Sequence, residues 1–366
     1  MKYIDEYRDR EQVKVLVAAI QKAVTRPWHI MEICGGQTHA ISRYRIEDML
    51  PPEITLLHGP GCPVCVTPVA VIDHALEIAK RPEVIFTSFG DMMRVPGTSE
   101  DLLTIKSQGA DVRMLYSSLD AVELAEKSPD KEIVFFAVGF ETTIPVHLTA
   151  IKEAKRKGLK NFSLITSLFT VPPAIDIILS DQGSKVDGFL TAGHVCAVMG
   201  NSEYYDLAKR YRRPMVVTGF EPIDLLYGIY RCILQLESGK SEVENAYKRI
   251  VLEDGNPAVR HLMDEMLEPV DQEWRGIGYI PGSGLHLNEI YEMYDAAKKF
   301  PAKDGGKVSI NNLNELSLQC IAGDIMKGNK QASDCPFFGT SCRPETPIGA
   351  PMVSTEGVCA AYYNYR

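Results

Sequence analysis

From Trp28 to about Gly139 the chain alternates short apolar runs with stretches of helical period. Ile30–Cys34, Ile54–His58, Val84–Ser88, Val112–Tyr116 and Ile133–Val138 read as strands, with helices such as Pro68–Lys80 and Ser118–Lys127 between them. This alternation is the mark of βαβ units and a parallel sheet. A second set follows: Phe162–Thr166, Gly188–Ala192 and Met215–Gly219, again separated by helical stretches. The two sets look distantly alike. Ile54–Ala75 runs strand, turn, prolines and helix with Asp73; Phe162–Leu179 repeats that order with Pro172, Pro173 and Asp176. Gly139-Phe140-Glu141 is echoed by Gly219-Phe220-Glu221. The pattern predicts an α/β fold of two similar parallel-sheet domains, residues 1–140 and 141–265, followed by a third domain over 266–366.

The third domain has another character. A helical region runs from Glu221 to about Met266. Beyond Pro269, Gly, Pro and Asn become frequent, and Arg275–Gly284 is turn-rich. Asn311–Lys327 reads as a helix and residues 328–366 as loops and turns carrying three cysteines. So long a loop-rich segment needs something to order it. A bound metal centre would do so.

Composition narrows the function. The 366 residues suffice for two or three domains, and 45% hydrophobic with 24% charged content is ordinary for a globular protein. A net charge of −9, with no basic cluster, argues against nucleic acid. Met1–Arg10 lacks an apolar signal core, and no run approaches the roughly 18 apolar residues of a membrane span. A cytoplasmic location is expected, where the nine cysteines point to metal, cluster or redox work and not to a disulfide framework.

Three groups of residues carry that chemistry. Gly59-Pro60-Gly61-Cys62-Pro63-Val64-Cys65 joins a strand to a helix, with the Cys-x-x-Cys pair at the helix start. Unpaired N–H groups and the helix dipole favour thiolate there, so the pair suits a redox dithiol or a ligand role. Half a zinc site or two buried thiols are the plainer alternatives. Cys320, Cys335, Cys342 and Cys359 form a second group. Four thiolates suit zinc or a [4Fe–4S] cluster, and wide spacing without short Cys-x-x-Cys knuckles ranks the cluster first. The third is Cys34-Gly35-Gly36-Gln37-Thr38-His39, in which Cys34 and His39 could bind a transition metal or activate a thiolate. A packed strand-end Cys and a capping His are equally consistent with it.

Parallel sheets bind ligands at the carboxyl ends of their strands. Cys34, Cys62, Cys65, Asp91, Glu141, His194, Cys196 and Glu221 all fall at or just after a predicted strand end, and are therefore expected at the rim of a cleft. For Glu141 and Glu221 the plainer role is a helix first turn, and for His194 and Cys196 a packed turn. Phosphate-loop, dinucleotide-loop and nucleophile-elbow motifs are absent, and Cys232 reads as core.

Met31-Glu32-Ile33-Cys34-Gly35-Gly36-Gln37-Thr38-His39, Gly59–Cys65, Gly139-Phe140-Glu141-Thr142-Thr143 and the terminal quartet together resemble the HypD family along essentially the whole chain. Members are maturation factors that help build the Fe(CN)2CO group of [NiFe]-hydrogenases. The resemblance implies a redox-active assembly scaffold and not a stand-alone turnover enzyme. It implies that Cys34 holds the iron fragment together with a HypC-type chaperone, and that Cys62 and Cys65 form a redox dithiol. It implies a [4Fe–4S] cluster on Cys320, Cys335, Cys342 and Cys359, and cyanide from a HypE-type partner. His39, Asp91, Glu141 and His194 are candidate cleft residues. Gln37 stands where some members carry His, which shifts weight to His39. Two other functions use part of the same residues: a cluster-dependent thiol–disulfide reductase, and a zinc-stabilised interaction protein.

Overall fold

The computed structural model describes residues 5–302 and 318–366. The predicted strands form. β1 (Trp28–Glu32), β2 (Ile54–His58), β3 (Val84–Ser88), β4 (Val112–Met114), β5 (Glu132–Gly139), β6 (Phe162–Leu168), β7 (Gly188–Ala192) and β8 (Met215–Thr218) lie within two residues of the expected bounds at nearly every end. Every residue of β3, β7 and β8 is buried, as expected for strands covered by helices on both faces.

Pairing does not follow the expected division at residue 140. A five-stranded parallel sheet has the order β2-β1-β7-β8-β9, where β9 is Val243–Asn245. A four-stranded parallel sheet has the order β4-β3-β5-β6. Numbered within each sheet, both begin 2-1-3-4. The two units are thus alike in topology, but one is inserted in the other between β2 and β7. Periodicity identifies strands; it does not say which strands pair, and here neighbours in the chain are parted by the insertion.

The expected helical region over 221–266 is three elements. Helix Pro222–Glu237 ends near Gly239, β9 follows, and a second helix spans Pro257–Met266. The turn-rich stretch after Pro269 folds as an antiparallel hairpin, β10 (Leu267–Trp274) with β11 (Gly278–Leu287). Exposed polar positions along β10 alternate with few apolar ones, so its strand pattern was faint. Trp274 anchors the hairpin: it is fully buried against Phe140 and Phe169, and its indole N–H donates to Ser283 Oγ at 2.8 Å. The expected helix Asn311–Lys327 lies partly outside the described residues; its described part contains helix Ala322–Met326. The cysteine-bearing segment is not all loop, because Val358–Tyr365 is helical and packs beside the helix that follows β1, Gly35–Arg43. No helix among the described residues is long and apolar enough to cross a membrane.

Candidate functional site

Chain order within the larger sheet reverses between β1 and β7, and the crevice beyond their carboxyl ends is where such sheets hold ligands. Cys34 follows β1 and caps the next helix; His194 lies in the helix after β7. Their side chains meet there, with Cys34 Sγ 3.5 Å from His194 Nδ1. Burial holds the His194 imidazole neutral, its pKa pushed down to about 4. Burial pushes the Cys34 thiol well up, and the carboxylates of Glu32 and Glu356 push it further against backbone N–H groups that favour thiolate. Phe220, after β8, stands over the His194 ring at 5.3 Å.

The dithiol loop lies against the same turn. Gly59 N–H donates to the Glu32 carbonyl at 2.8 Å, and Gly35 N–H donates to the Gly61 carbonyl at 2.8 Å. A Cβ on Gly61 would overlap the backbone N and Cα of Cys34, so glycine alone permits this approach. Cys62 caps the short helix Pro63–Val66, and the two thiols form a disulfide with Cα atoms 5.2 Å apart. Cys62 and Cys65 are 4% and 1% exposed.

The third group approaches from the C-terminal segment. Cys65 and Cys320 both line one cavity of about 220 Å³, together with Arg275 and Gly349. Burial raises the Cys359 thiol, and the neighbouring Cys320, Cys342 and Cys335 raise it further. Cys320 is raised by burial and by Cys335 and Cys342, while Arg275 favours its thiolate. Ile348 N–H donates to Cys342 Sγ at 3.4 Å, and a Cβ on Gly349 would press on Cys320 Sγ at 2.6 Å. Among the described residues no three His, Cys, Asp or Glu side chains close round a point as for a single metal ion. Four thiols with a backbone donor to Cys342 and Arg275 beside Cys320 are nevertheless, by their chemistry, the donor set of a group that takes four thiolates.

The remaining candidates separate. His39 is not beside Cys34. Five helical residues turn it about 140° away from the cap. Its Nδ1 lies 3.1 Å from the Thr355 carbonyl and its ring meets Tyr365 edge-on. Asp91 follows β3 and, like His39, faces Glu356, whose carboxyl group is raised by burial and by Asp91. Glu141 is fully buried. One oxygen accepts Val171 N–H at 2.8 Å, the other has no hydrogen-bond partner among the described residues, and burial pushes its pKa up to about 8. It belongs to a buried polar group with Cys196 and Tyr204, apart from Cys34. Glu221 caps helix Pro222–Glu237 and accepts from the Arg8 guanidinium. Gln37 is buried and donates to the Thr191 and Thr218 carbonyls at 3.2 and 3.3 Å. Cys232 is buried core beneath Gly188.

Sequence reasoning missed Glu32, His58, Glu356, Arg275 and Tyr362. Glu32 and His58 had a signal: each is a buried polar residue that ends its strand, and the register sets them opposite one another. Glu356, Arg275 and Tyr362 come from loops and a terminal helix whose placement no local pattern reveals.

A family profile described as HypD, hydrogenase formation hypA family, matches residues 11–366. The chain is 44% identical to the hydrogenase maturation factor HypD of Rhodobacter capsulatus, covering 100% of this chain and 98% of that one. Identity to HypD2 of Bradyrhizobium diazoefficiens is 43%, with 100% and 97% covered. For HypD of Escherichia coli (strain K12) it is 42%, with 100% and 98% covered.

Proposed function

The chain belongs to the HypD family of hydrogenase maturation factors, and we propose on that footing that it is a redox-active scaffold for assembling the Fe(CN)2CO group. Iron is its cargo, held on Cys34 and shared with a HypC-type chaperone, with cyanide from a HypE-type donor. The observation that carries this reading is the meeting of three thiol systems: Cys34 under the Gly61 loop, and Cys65 and Cys320 on one cavity.

Cys34 is built to wait for a cation. A thiol raised by burial and two carboxylates stays protonated in the empty cleft, and a neutral imidazole near pKa 4 is too weak a base to change that. A positive iron centre supplies the missing stabilisation, so thiolate forms when iron binds and the proton leaves. Thiolate is also a suitable soft ligand for low-spin iron bearing cyanide and CO. Opening the Cys62–Cys65 disulfide consumes two electrons and two protons and yields two thiols beside Cys34. A [4Fe–4S] cluster on Cys320, Cys335, Cys342 and Cys359, when bound, supplies electrons one at a time. Burial of the dithiol favours service to this neighbour over reduction of protein disulfides, which would have to reach sulfurs almost wholly out of solvent.

Anaerobic co-purification with the chaperone, an iron count and infrared spectroscopy test the proposal. The scaffold should hold one iron beyond the cluster's four, by [4Fe–4S] stoichiometry, and show bands of iron-bound CO and cyanide. If Cys34→Ala protein still shows those bands, Cys34 is not the ligand. Zinc in place of iron at the terminal thiols would reject the redox role altogether.

A further inference from the structure

Glu32 ends β1 fully buried, two residues before Cys34. Its oxygens have separate tasks. Oε2 accepts the backbone N–H of Cys34 at 2.8 Å and so fixes the turn that carries the thiol. Oε1 accepts the Thr38 hydroxyl and lies 2.7 Å from His58 Nδ1. His58 Nδ1 and Glu32 Oε1 thus share one buried hydrogen bond. The other ring nitrogen, Nε2, lies 3.1 Å from the Tyr362 hydroxyl. Tyr362 also reaches Glu47 at 3.1 Å, and Arg366 pairs with Glu47 at the outer end.

Tyr362 stands on the helix Val358–Tyr365, three residues after Cys359 and therefore on a neighbouring face position. The helix bearing a terminal thiol is thus joined to the backbone of Cys34 by three consecutive buried contacts. Burial removes water as a competitor, so solvent does not replace a broken link, although Tyr362 keeps Glu47 and His58 Nε2 lies 3.5 Å from Glu47 Oε1.

We propose that Glu32, His58 and Tyr362 are positioning residues that couple the Cys359 helix to the turn of Cys34, so that ordering at the terminal thiols sets how firmly Cys34 is held. The consequence for the cofactor rests on the reading of Cys359 as one of its ligands. The relay itself stands on the hydrogen bonds alone.

Alkylation of Cys34 by iodoacetamide tests it, on full-length protein purified anaerobically and scored peptide by peptide by mass spectrometry. Cys34 is 2% exposed, so its rate reports opening of its own turn. Tyr362→Phe keeps the ring and removes the hydroxyl. It is expected to speed Cys34 alkylation about tenfold, the factor for one buried hydrogen bond, while buried Cys196 and Cys232 react as in wild type. His58→Gln retains a polar side chain and should give a smaller increase. A Cys34 rate within about twofold of wild type in Tyr362→Phe, or equal acceleration of all three thiols, overturns the proposal.

A second measurement on the same samples keeps the two readings apart: iron and acid-labile sulfide per chain after anaerobic reconstitution. Loading should slow Cys34 in wild type and leave its rate in Tyr362→Phe unchanged; equal slowing in both, or none in wild type, overturns the coupling. Wild-type protein that takes up no iron and sulfide rejects the cofactor reading, and the unloaded comparison still decides the relay.

Discussion

Cys65 and Cys320 face the same cavity, with Arg275 in its wall. The dithiol and the terminal thiols are therefore neighbours although the chain sets them far apart. Arg275 is tied in place: its backbone N–H donates to the Val66 carbonyl at 2.8 Å and its guanidinium to the Pro96 carbonyl at 2.9 Å. Burial works against its charge, and Cys320 favours it.

A fixed positive charge beside a cluster favours the reduced, more negative state. Arg275→Gln should therefore lower the reduction potential of the reconstituted cluster, on the order of 100 mV for one charge at short range in a protein interior. Spectroelectrochemical titration reads this directly. An unchanged potential would mean that Arg275 lies too far from the electrons to matter.

Gly61 offers a test of geometry without touching a thiol. In Gly61→Ala the new methyl meets Cys34 and Ile33 backbone, which cannot swing away as a side chain would. The expected loss is about 3 kcal/mol, the upper part of the range for overpacking. Urea denaturation should show the lower midpoint, and iron content per chain should fall with it.

His147 predicts an acid weakness. The ring is fully buried between Phe89 and Phe135, and burial pushes its pKa down to about 3 from 6.5. The unfolded chain binds this proton below about pH 6.5 and the folded one does not, so stability is present above 6.5 and is lost as pH falls towards 3. His147→Phe removes the titrating group. Its unfolding free energy should fall less steeply than wild type between pH 6.5 and 4, with the gap reaching a few kcal/mol at the acid end.

Glu141 predicts the opposite slope. Its folded pKa of about 8 exceeds the ordinary 4.5, because burial penalises the charged form. The folded chain holds this proton more tightly, so its contribution is full below 4.5 and is lost as pH rises through 8. Glu141→Gln keeps the shape without the charge. It should match wild type near pH 5 and exceed it by a kcal/mol or more above pH 8, measured by urea titration at both values.

Much of this was readable from the residues. Strands β2, β3 and β7 matched the predicted runs residue for residue, because strands that are almost wholly buried are predominantly apolar. His194 was legible as a strand-end residue, but its contact with Cys34 was not, because that contact depends on β1 pairing with β7. His39 looked closer in sequence and proved to face elsewhere, since a helix turns its residues away from one another. The hairpin of β10 and β11 was hidden because its pairing leaves much of the strand surface exposed and polar. A limit at 140 assumed that neighbours in the chain share a sheet, and the insertion breaks that assumption.

The insertion also sets an order of events during synthesis. Cys34 and His194 stand 160 residues apart in the chain, and the strand that brings His194 into place emerges only after the whole inserted sheet. Long-range pairing of this kind forms late. A growing chain therefore displays Cys34 long before it owns the pocket around it, and the Cys34 cleft is among the last parts of the larger sheet to be finished. A partner that recognises the finished cleft would ignore ribosome-bound chains.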